Sequence, residues 1–159
     1  MGAMDMGIGA AFDDSGRLGP TFVGTVYPAQ LDHMGHINMQ FYVGLFDQAS
    51  WGFFSWMGLS EERIAAEQVG MAGLVQENRF LEELHPGVSL EAWTRVLATS
   101  EKTVRFQHDL HRRAEGGPLV ATSVVTAACL DLTRRRARPL PEDIRQRLEE
   151  AVRRGTPRE

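Results

Sequence analysis

The length, composition and charge of the chain limit what it can be. Its 159 residues, 43% of them hydrophobic, suffice for one domain with a substantial core. A net charge of −4 gives no general attraction to nucleic acid or to an anionic membrane surface. The single cysteine, Cys129, cannot form an intramolecular disulfide or a multi-cysteine metal site. No apolar run approaches the length that spans a bilayer and no secretory signal is recognised, so we expect a cytoplasmic protein.

A leader and a strand open the chain. Residues 1–20 are rich in Gly, Met, Ala and Asp and show no hydrophobic period, so we predict a flexible leader. A single domain is then expected over residues 21–155. Its first element is the stretch TFVGTVY at residues 21–27. The β-branched and aromatic residues of this stretch indicate a strand, which Pro28 ends.

A long helix follows. Between residues 40 and 57 apolar side chains recur at spacings of three and four, and they cover most of the helix surface. Asn38 is placed to cap the first turn of this helix, and Gly58 to end it. A helix with so little polar surface needs cover on several sides, so we expect it at the centre of the fold.

Four long strands and a terminal helix complete the domain. After a short helix at residues 60–68, the strands are predicted at residues 72–84, 89–98, 102–113 and 119–132. Their short connections favour antiparallel neighbours, and Pro-Gly in ELHPG indicates a hairpin turn. The terminal helix is expected at 141–155. The result is an α+β fold, a roughly five-stranded antiparallel sheet wrapped around a long central helix. The free edge strand of such a sheet predicts pairing with a second copy.

The loop LDHMGHIN, residues 31–38, concentrates polar side chains against the start of the long helix. Asp32 has two interpretations there. It can be a turn residue, because Asp and Gly are favoured in loops for local backbone reasons. It can also be a catalytic carboxylate, because the unpaired backbone N–H groups of a nearby helix N-terminus can stabilise an oxyanion. A carboxylate beside such N–H groups is suited to acyl transfer to water.

The residues from Asp32 to Asn38, followed by Tyr42 and by Phe-Asp-Gln-Ala at 46–49, resemble a known signature. They are similar to the motif of the 4-hydroxybenzoyl-CoA thioesterase branch of the hotdog-fold superfamily. The stretch DLTRRRARPLPEDIRQRLE is similar to the last strand and tail of acyl-CoA thioesterases in that branch. The resemblance implies a hotdog-fold acyl-CoA thioesterase that forms a homodimer or homotetramer, with active sites at the subunit interface. It leaves open the acyl group and the choice between covalent and general-base chemistry.

The resemblance also implies catalytic roles. Asp32 is the expected catalytic carboxylate, as general base or as nucleophile. The backbone N–H near Met39 is the expected oxyanion donor. His36 or Asn38 is a candidate for positioning the water or the thioester. Members of a related subgroup carry a histidine where this chain has Met39, so assistance by a histidine side chain at that position is not expected.

A further set of residues is expected to bind substrate: Gly35, Tyr42, Asp47, Arg134, Arg135 and Arg136. The arginines are candidates for a clamp on the phosphates of coenzyme A, and the alternative is a solvated basic turn. Asp47 could be a second carboxylate of the site or an acid on the polar stripe of the helix. Tyr42 could line an acyl pocket or belong to the core.

Three other functions can be considered for the same residues. His33 and His36 have a spacing that can bind zinc, but no third ligand is evident beyond Asp32, so we expect no metal and no cofactor. ELHPG superficially resembles the loop of hotdog dehydratases and lacks the rest of that loop. The competing class is a non-catalytic hotdog module that binds acyl-CoA, and the presence of Asp32 argues against it.

Overall fold

The fold is one antiparallel sheet packed around a long helix. The computed structural model describes residues 11–114 and 117–156. Its strands are β1 (Ala11–Phe12), β2 (Leu18–Thr25), β3 (Val69–Phe80), β4 (Ser89–Thr99), β5 (Thr103–Arg112), β6 (Leu119–Asp131) and β7 (Arg136–Ala137). Its helices are α1 (Met39–Met57), α2 (Glu61–Glu67) and α3 (Glu142–Gly155), with a 3-10 turn at Pro28–Gln30. The sheet order is β1-β2-β4-β5-β6-β3, and β7 pairs with β6. The predicted α+β architecture with its central helix and C-terminal helix is confirmed.

Helix α1 begins and ends where its sequence predicts. The side-chain oxygen of Asn38 accepts a hydrogen bond from the N–H of Gln40 at 3.0 Å. Gly58 ends the helix in the left-handed conformation, with φ of 105°, which a glycine adopts without strain. The side chains that α1 buries are Tyr42, Leu45, Phe46, Ala49, Ser50, Phe53 and Met57. These positions lie three or four residues apart and form one face of the helix, which packs against the sheet, whereas Trp51 on another face is 57% exposed.

The predicted leader is wrong from residue 11 onward. Strand β2 begins at Leu18, whose side chain is 1% exposed and belongs to the main hydrophobic core. Residues 11–12 pair with β2, and the Arg17 guanidinium bonds the carboxylates of Asp13 and Asp109. The sequence does not predict that residues 11–20 belong to the domain, because their contacts include strands far away in the chain. Residues 1–10 of the predicted leader lie outside the described residues.

The predicted hairpin at ELHPG is also wrong. Strand β3 ends at Phe80, four residues before the predicted end at residue 84. Within the described sheet β3 pairs with β6, whereas β4 pairs with β2 and β5, so β3 and β4 are not neighbours. The segment 81–88 therefore crosses from one part of the sheet to another. Its course takes it past the N-terminal end of α1, where it contributes to the site described below.

A fully buried histidine ties α1 to the sheet. The imidazole of His108 on β5 lies between the Ser50 hydroxyl, 2.9 Å from Nε2, and the Thr94 hydroxyl, 2.7 Å from Nδ1. The Thr94 hydroxyl lies 2.9 Å from that of Thr21 on β2. One chain of hydrogen bonds thus joins a helix and three strands. Burial lowers the pKa of His108 to about 3, so its imidazole is neutral at physiological pH.

Strand β3 lies at an edge of the described sheet. Leu74 and Val75 are its most exposed apolar residues, at 60% and 61%. A long edge strand with exposed apolar side chains can pair with another chain. None of the helices in the described part of the chain is long and apolar enough to cross a membrane.

Candidate active site

The loop between β2 and α1 holds Asp32 in a tight turn. The N–H of Gly35 donates to the carbonyl of Asp32 at 3.1 Å, and the N–H of Asp32 donates to the carbonyl of His36 at 3.0 Å. Gly35 takes a φ of 79°, which favours glycine at that position. The Asp32 Oδ1 atom accepts from the N–H of Met34 at 2.8 Å. Asp32 is therefore a turn residue through Oδ1, and its second oxygen is left available for chemistry.

Asp32 opens into a pocket of about 340 Å³ at the N-terminal end of α1. The residues that line it are Asp32, His36, Ile37, Met39, Tyr42, Phe80, Leu81, Glu82 and Glu83. Four residues expected in the site on sequence grounds, Asp32, His36, Met39 and Tyr42, thus come together. Residues 80–83 complete the lining, and no local pattern in the sequence indicates that this stretch folds back over the helix terminus.

The first turn of α1 leaves one backbone N–H without an acceptor in the described part of the chain, and it belongs to Met39, a residue that lines this pocket. Asn38 caps the N–H of Gln40 with its side chain, and its carbonyl accepts from the N–H of Phe41 at 3.0 Å. Among the described residues, the N–H of Met39 has no hydrogen-bond acceptor. The first N–H groups of a helix carry a partial positive charge, so this one is suited to an anionic ligand. The Asn38 side chain does not line the pocket, and its oxygen is engaged in capping.

His36 lies between two carboxylates. Its Nδ1 atom is 3.8 Å from Oδ2 of Asp32, and its Nε2 atom is 3.9 Å from Oε1 of Glu83. These distances are too long for hydrogen bonds. Nδ1 also lies 3.3 Å from the carbonyl oxygen of Ile37, so Nδ1 carries the hydrogen and donates it to that oxygen. Nε2 has no hydrogen-bond partner among the described residues. The side chains of His36 and Asp32 are 25% and 19% exposed, so both are only partly shielded from water.

Residues 81–85 hold the loop and the helix together. The Tyr42 hydroxyl donates to the carbonyl of Glu82 at 2.8 Å, and the N–H of Ile37 donates to the carbonyl of Leu84 at 2.9 Å. Nδ1 of His85 lies 3.1 Å from the carbonyl oxygen of Gly35, so this nitrogen carries the hydrogen. Burial raises the pKa of Tyr42 to about 12, so its hydroxyl keeps the proton that it donates.

Asp47 lies outside the Asp32 pocket. It lines a separate groove of about 650 Å³ between α1 and β3, together with Gln40, Gln76 and the exposed Leu74 and Val75. Its surroundings are therefore the polar stripe of the helix and the edge strand. Within one chain Asp32 and Asp47 do not share a cavity.

Arg134, Arg135 and Arg136 lie at the other end of the sheet. Arg134 and Arg135 lie in the exposed turn between β6 and β7, and Arg136 is the first residue of β7. This turn follows Asp131, which pairs with Val69 at the start of β3. The pocket adjoins Phe80, which pairs with Ala121 near the start of β6. Ten residues of strand at about 3.3 Å each put roughly 30 Å between these ends. In a single chain the arginines cannot reach a ligand in the Asp32 pocket.

No metal site is formed by the described residues. Groups of three or more His, Cys, Asp or Glu side chains that could hold a metal ion are absent from residues 11–114 and 117–156. His33 and His36, the pair with zinc-like spacing, are therefore without a third ligand in this part of the molecule.

Comparison with a family model shows the family of the chain, and comparison with solved structures shows its fold. Residues 26–148 match the model of the thioesterase-like superfamily. The protein SAV2348 of Staphylococcus aureus, determined in complex with CoA, is 19% identical with a TM-score of 0.79, covering 87% of this chain and 86% of that one. A 1,4-dihydroxy-2-naphthoyl-CoA thioesterase from Synechocystis is 20% identical with a TM-score of 0.67, over 82% and 93%. A DHNA-CoA thioesterase from Staphylococcus aureus is 16% identical with a TM-score of 0.71, over 83% and 89%. No curated protein matches the sequence.

Proposed function

The chain belongs to the thioesterase-like superfamily and has its hotdog fold, as the motif at residues 32–38 predicted, and we propose that it hydrolyses an acyl-CoA thioester. The observation that carries this proposal is the pocket at the start of α1. Asp32, whose second carboxylate oxygen accepts no hydrogen bond among the described residues, and Met39, whose N–H has no acceptor among them, both line this small cavity. A carboxylate and an oxyanion donor together supply what hydrolysis of a carbonyl compound requires.

The chemistry divides between these two groups. Asp32 acts as general base on water or as nucleophile on the thioester carbonyl. The tetrahedral intermediate places its oxyanion at the helix terminus, where the Met39 N–H and the helix dipole stabilise it. Tyr42 and Phe80, whose ring centroids are 4.9 Å apart, form an aromatic wall for the acyl group. The imidazole of His36 lies 3.8 Å from Oδ2 of Asp32.

A second copy of the chain would complete the binding site. The exposed edge of β3 and the apolar groove beside it suit a homodimer, or a pair of such dimers. When two β3 strands pair antiparallel, the end of one strand faces the start of the other. The arginine turn of one copy then approaches the Asp32 pocket of its partner. We therefore assign Arg134, Arg135 and Arg136 to the coenzyme A phosphates across the dimer.

One other pair of arginines competes for that role. Arg79 and Arg105 line a groove of about 510 Å³ that shares Leu81 with the Asp32 pocket of the same chain. The variant Arg134→Ala/Arg136→Ala is expected to raise KM for acyl-CoA about tenfold, because each phosphate contact contributes about 1 kcal/mol or more. The corresponding pantetheine thioester, which lacks the nucleotide, should show no such rise. A rise caused instead by Arg79→Ala/Arg105→Ala would transfer the role to the second pair.

The test of the function is thiol release from a panel of short, medium, aromatic and polar acyl-CoA esters. Wild type and Asp32→Asn are compared, with circular dichroism and melting temperature as controls for folding. Hydrolysis of at least one ester, lost in the folded variant, is the expected result. If folded wild type binds acyl-CoA tightly and hydrolyses no ester, the protein is a binding module and the proposal is wrong.

A further inference from the structure

The Asp32 pocket contains more negative than positive charge. The carboxylates of Asp32, Glu82 and Glu83 all line it. Among the described residues one arginine, Arg112, contacts these carboxylates, and its Nε donates to Oε2 of Glu82 at 3.3 Å. A thiolate expelled into this pocket would be surrounded by like charges, which raise its free energy. An alkyl thiol has a pKa of about 8.5, so a proton delivered to the departing sulfur would remove this cost.

His36 is the pocket residue best placed to give that proton. Its imidazole lines the cavity between the carboxylates of Asp32, at 3.8 Å, and of Glu83, at 3.9 Å. Nδ1–H of His36 donates to the carbonyl of Ile37 at 3.3 Å, so Nε2, on the side of Glu83, is the ring nitrogen that can exchange a proton with a ligand. The other titratable groups of the pocket are engaged: the Tyr42 hydroxyl is bonded to a carbonyl, and Glu82 to Arg112.

We propose that His36 is the general acid that protonates the sulfur of coenzyme A, and that Glu83 is its positioning residue. This inference rests on the proposed hydrolysis and goes beyond it. It names a donor for the proton that the departing sulfur receives. It also assigns a role to Glu83 of ELHPG, a motif that the proposed hydrolysis does not otherwise use.

The protons balance over one turnover in the general-base form of the reaction. Water attacks the thioester carbon while Asp32 takes one of its protons, and a carbon–oxygen bond forms. The tetrahedral intermediate then breaks its carbon–sulfur bond, and the electron pair goes to sulfur. His36 delivers its proton to that sulfur, giving the free thiol and the carboxylic acid. Protonated Asp32 then releases its proton to water, and neutral His36 takes up a proton from water at Nε2, which restores both groups.

The inference is tested with two leaving groups on one acyl chain. The CoA ester releases an alkyl thiol, whereas the 4-nitrothiophenyl ester releases a much more acidic thiol that leaves without a proton. His36→Gln is expected to lower kcat on the CoA ester about 100-fold and on the aryl ester less than about fivefold. An equal fall on both esters would mean that His36 only positions water or shapes the pocket, and the proposal would be wrong. If wild type hydrolyses neither ester, the proposed function itself fails.

Glu83 is tested with the same two esters. Its side chain is 69% exposed, so Glu83→Gln should fold normally. We expect kcat on the CoA ester to fall about three- to tenfold and kcat on the aryl ester to stay within about twofold, because the imidazole loses the carboxylate that orients Nε2. Added to His36→Gln, the same change should have no further effect. Glu101→Gln, an exposed acid in the turn after β4, is the matched control. An equal effect on both esters, or no effect on either, would remove Glu83 from the mechanism.

Discussion

Two histidines of this molecule, His108 and His36, have opposite surroundings. His108 is fully buried, and its two ring nitrogens lie 2.9 Å and 2.7 Å from neutral hydroxyls. His36 is 25% exposed, and only its Nδ1–H is hydrogen-bonded, to the carbonyl of Ile37 at 3.3 Å, whereas its Nε2 lies 3.9 Å from the Glu83 carboxylate and has no hydrogen-bond partner among the described residues. Short hydrogen bonds to both ring nitrogens fix one protonation state of the imidazole. A ring nitrogen that has no hydrogen bond and is open to water can exchange a proton with a ligand. The comparison separates a histidine that stabilises the fold from one that is suited to chemistry.

The tautomer of His108 follows from its partners. The Ser50 hydroxyl donates to the carbonyl of Phe46 at 3.0 Å, so it accepts from Nε2–H of His108. Nδ1 then accepts from the Thr94 hydroxyl. Every polar atom of the imidazole is satisfied in the neutral state, and no carboxylate among these partners would stabilise a proton. The serine therefore cannot use this histidine as a base, although the pair resembles a catalytic dyad by distance alone.

The largest expected effect is a loss of activity in Asp32→Asn, a change in the pocket that contains His36 and not in the core around His108. The variant keeps the side-chain oxygen that accepts from the N–H of Met34, so the turn should survive. It removes the charge that acts as base or nucleophile, and kcat/KM is expected to fall about 1,000-fold or more. The free energy of unfolding, measured with urea, should change by less than about 1 kcal/mol. If activity and the amount of folded protein fell to the same extent, Asp32 would serve the fold and not the chemistry, and this prediction would be wrong.

The next effect is a pH dependence of stability that belongs to His108. Its pKa is about 3 when folded, against an unfolded value near 6.5, so between these values the unfolded state binds more protons. The stability from the neutral imidazole is complete above pH 6.5 and is lost as pH falls. Each pH unit within that window costs about 1.4 kcal/mol, or about 2 to 3 kcal/mol between pH 6 and pH 4.

Urea unfolding at several pH values isolates this contribution. His108→Leu should be less stable at neutral pH, because it leaves the hydroxyls of Ser50 and Thr94 without their partner, and its stability should fall less steeply below pH 6.5. His33→Gln, a change at an exposed histidine, should keep the wild-type slope. If the free energy of unfolding depends on pH equally in His108→Leu and in wild type, the buried imidazole does not cause this pH dependence. The proposed difference between His108 and His36 would then be wrong.

Local signals predicted the helices well, and contacts between distant segments escaped prediction. Asn38 and Gly58 mark the ends of α1 because capping depends on residues within one turn. The Asp32 turn follows equally from its neighbours. The pocket walls at Glu82 and Glu83 depend on a segment that folds back across about fifty residues of sequence, and no local pattern shows that. The start of β2 at residue 18 was not predicted for the same reason, since its partner β4 lies some seventy residues further along the chain.

The smallest effect is expected at the contact that joins helix and pocket wall, the hydrogen bond from Tyr42 to the Glu82 carbonyl. Tyr42→Phe keeps the ring and removes the hydroxyl, so unfolding should become easier by about 1 kcal/mol. Because Glu82 and Glu83 lose an anchor, kcat/KM should fall about three- to tenfold, as for a residue that acts only through its neighbours. The other tyrosine of the chain, Tyr27, is 64% exposed, and Tyr27→Phe provides the control. A fall in kcat/KM of more than about 100-fold would mean that the Tyr42 hydroxyl contacts the substrate directly. Its role would then not be to hold Glu82 and Glu83 in place.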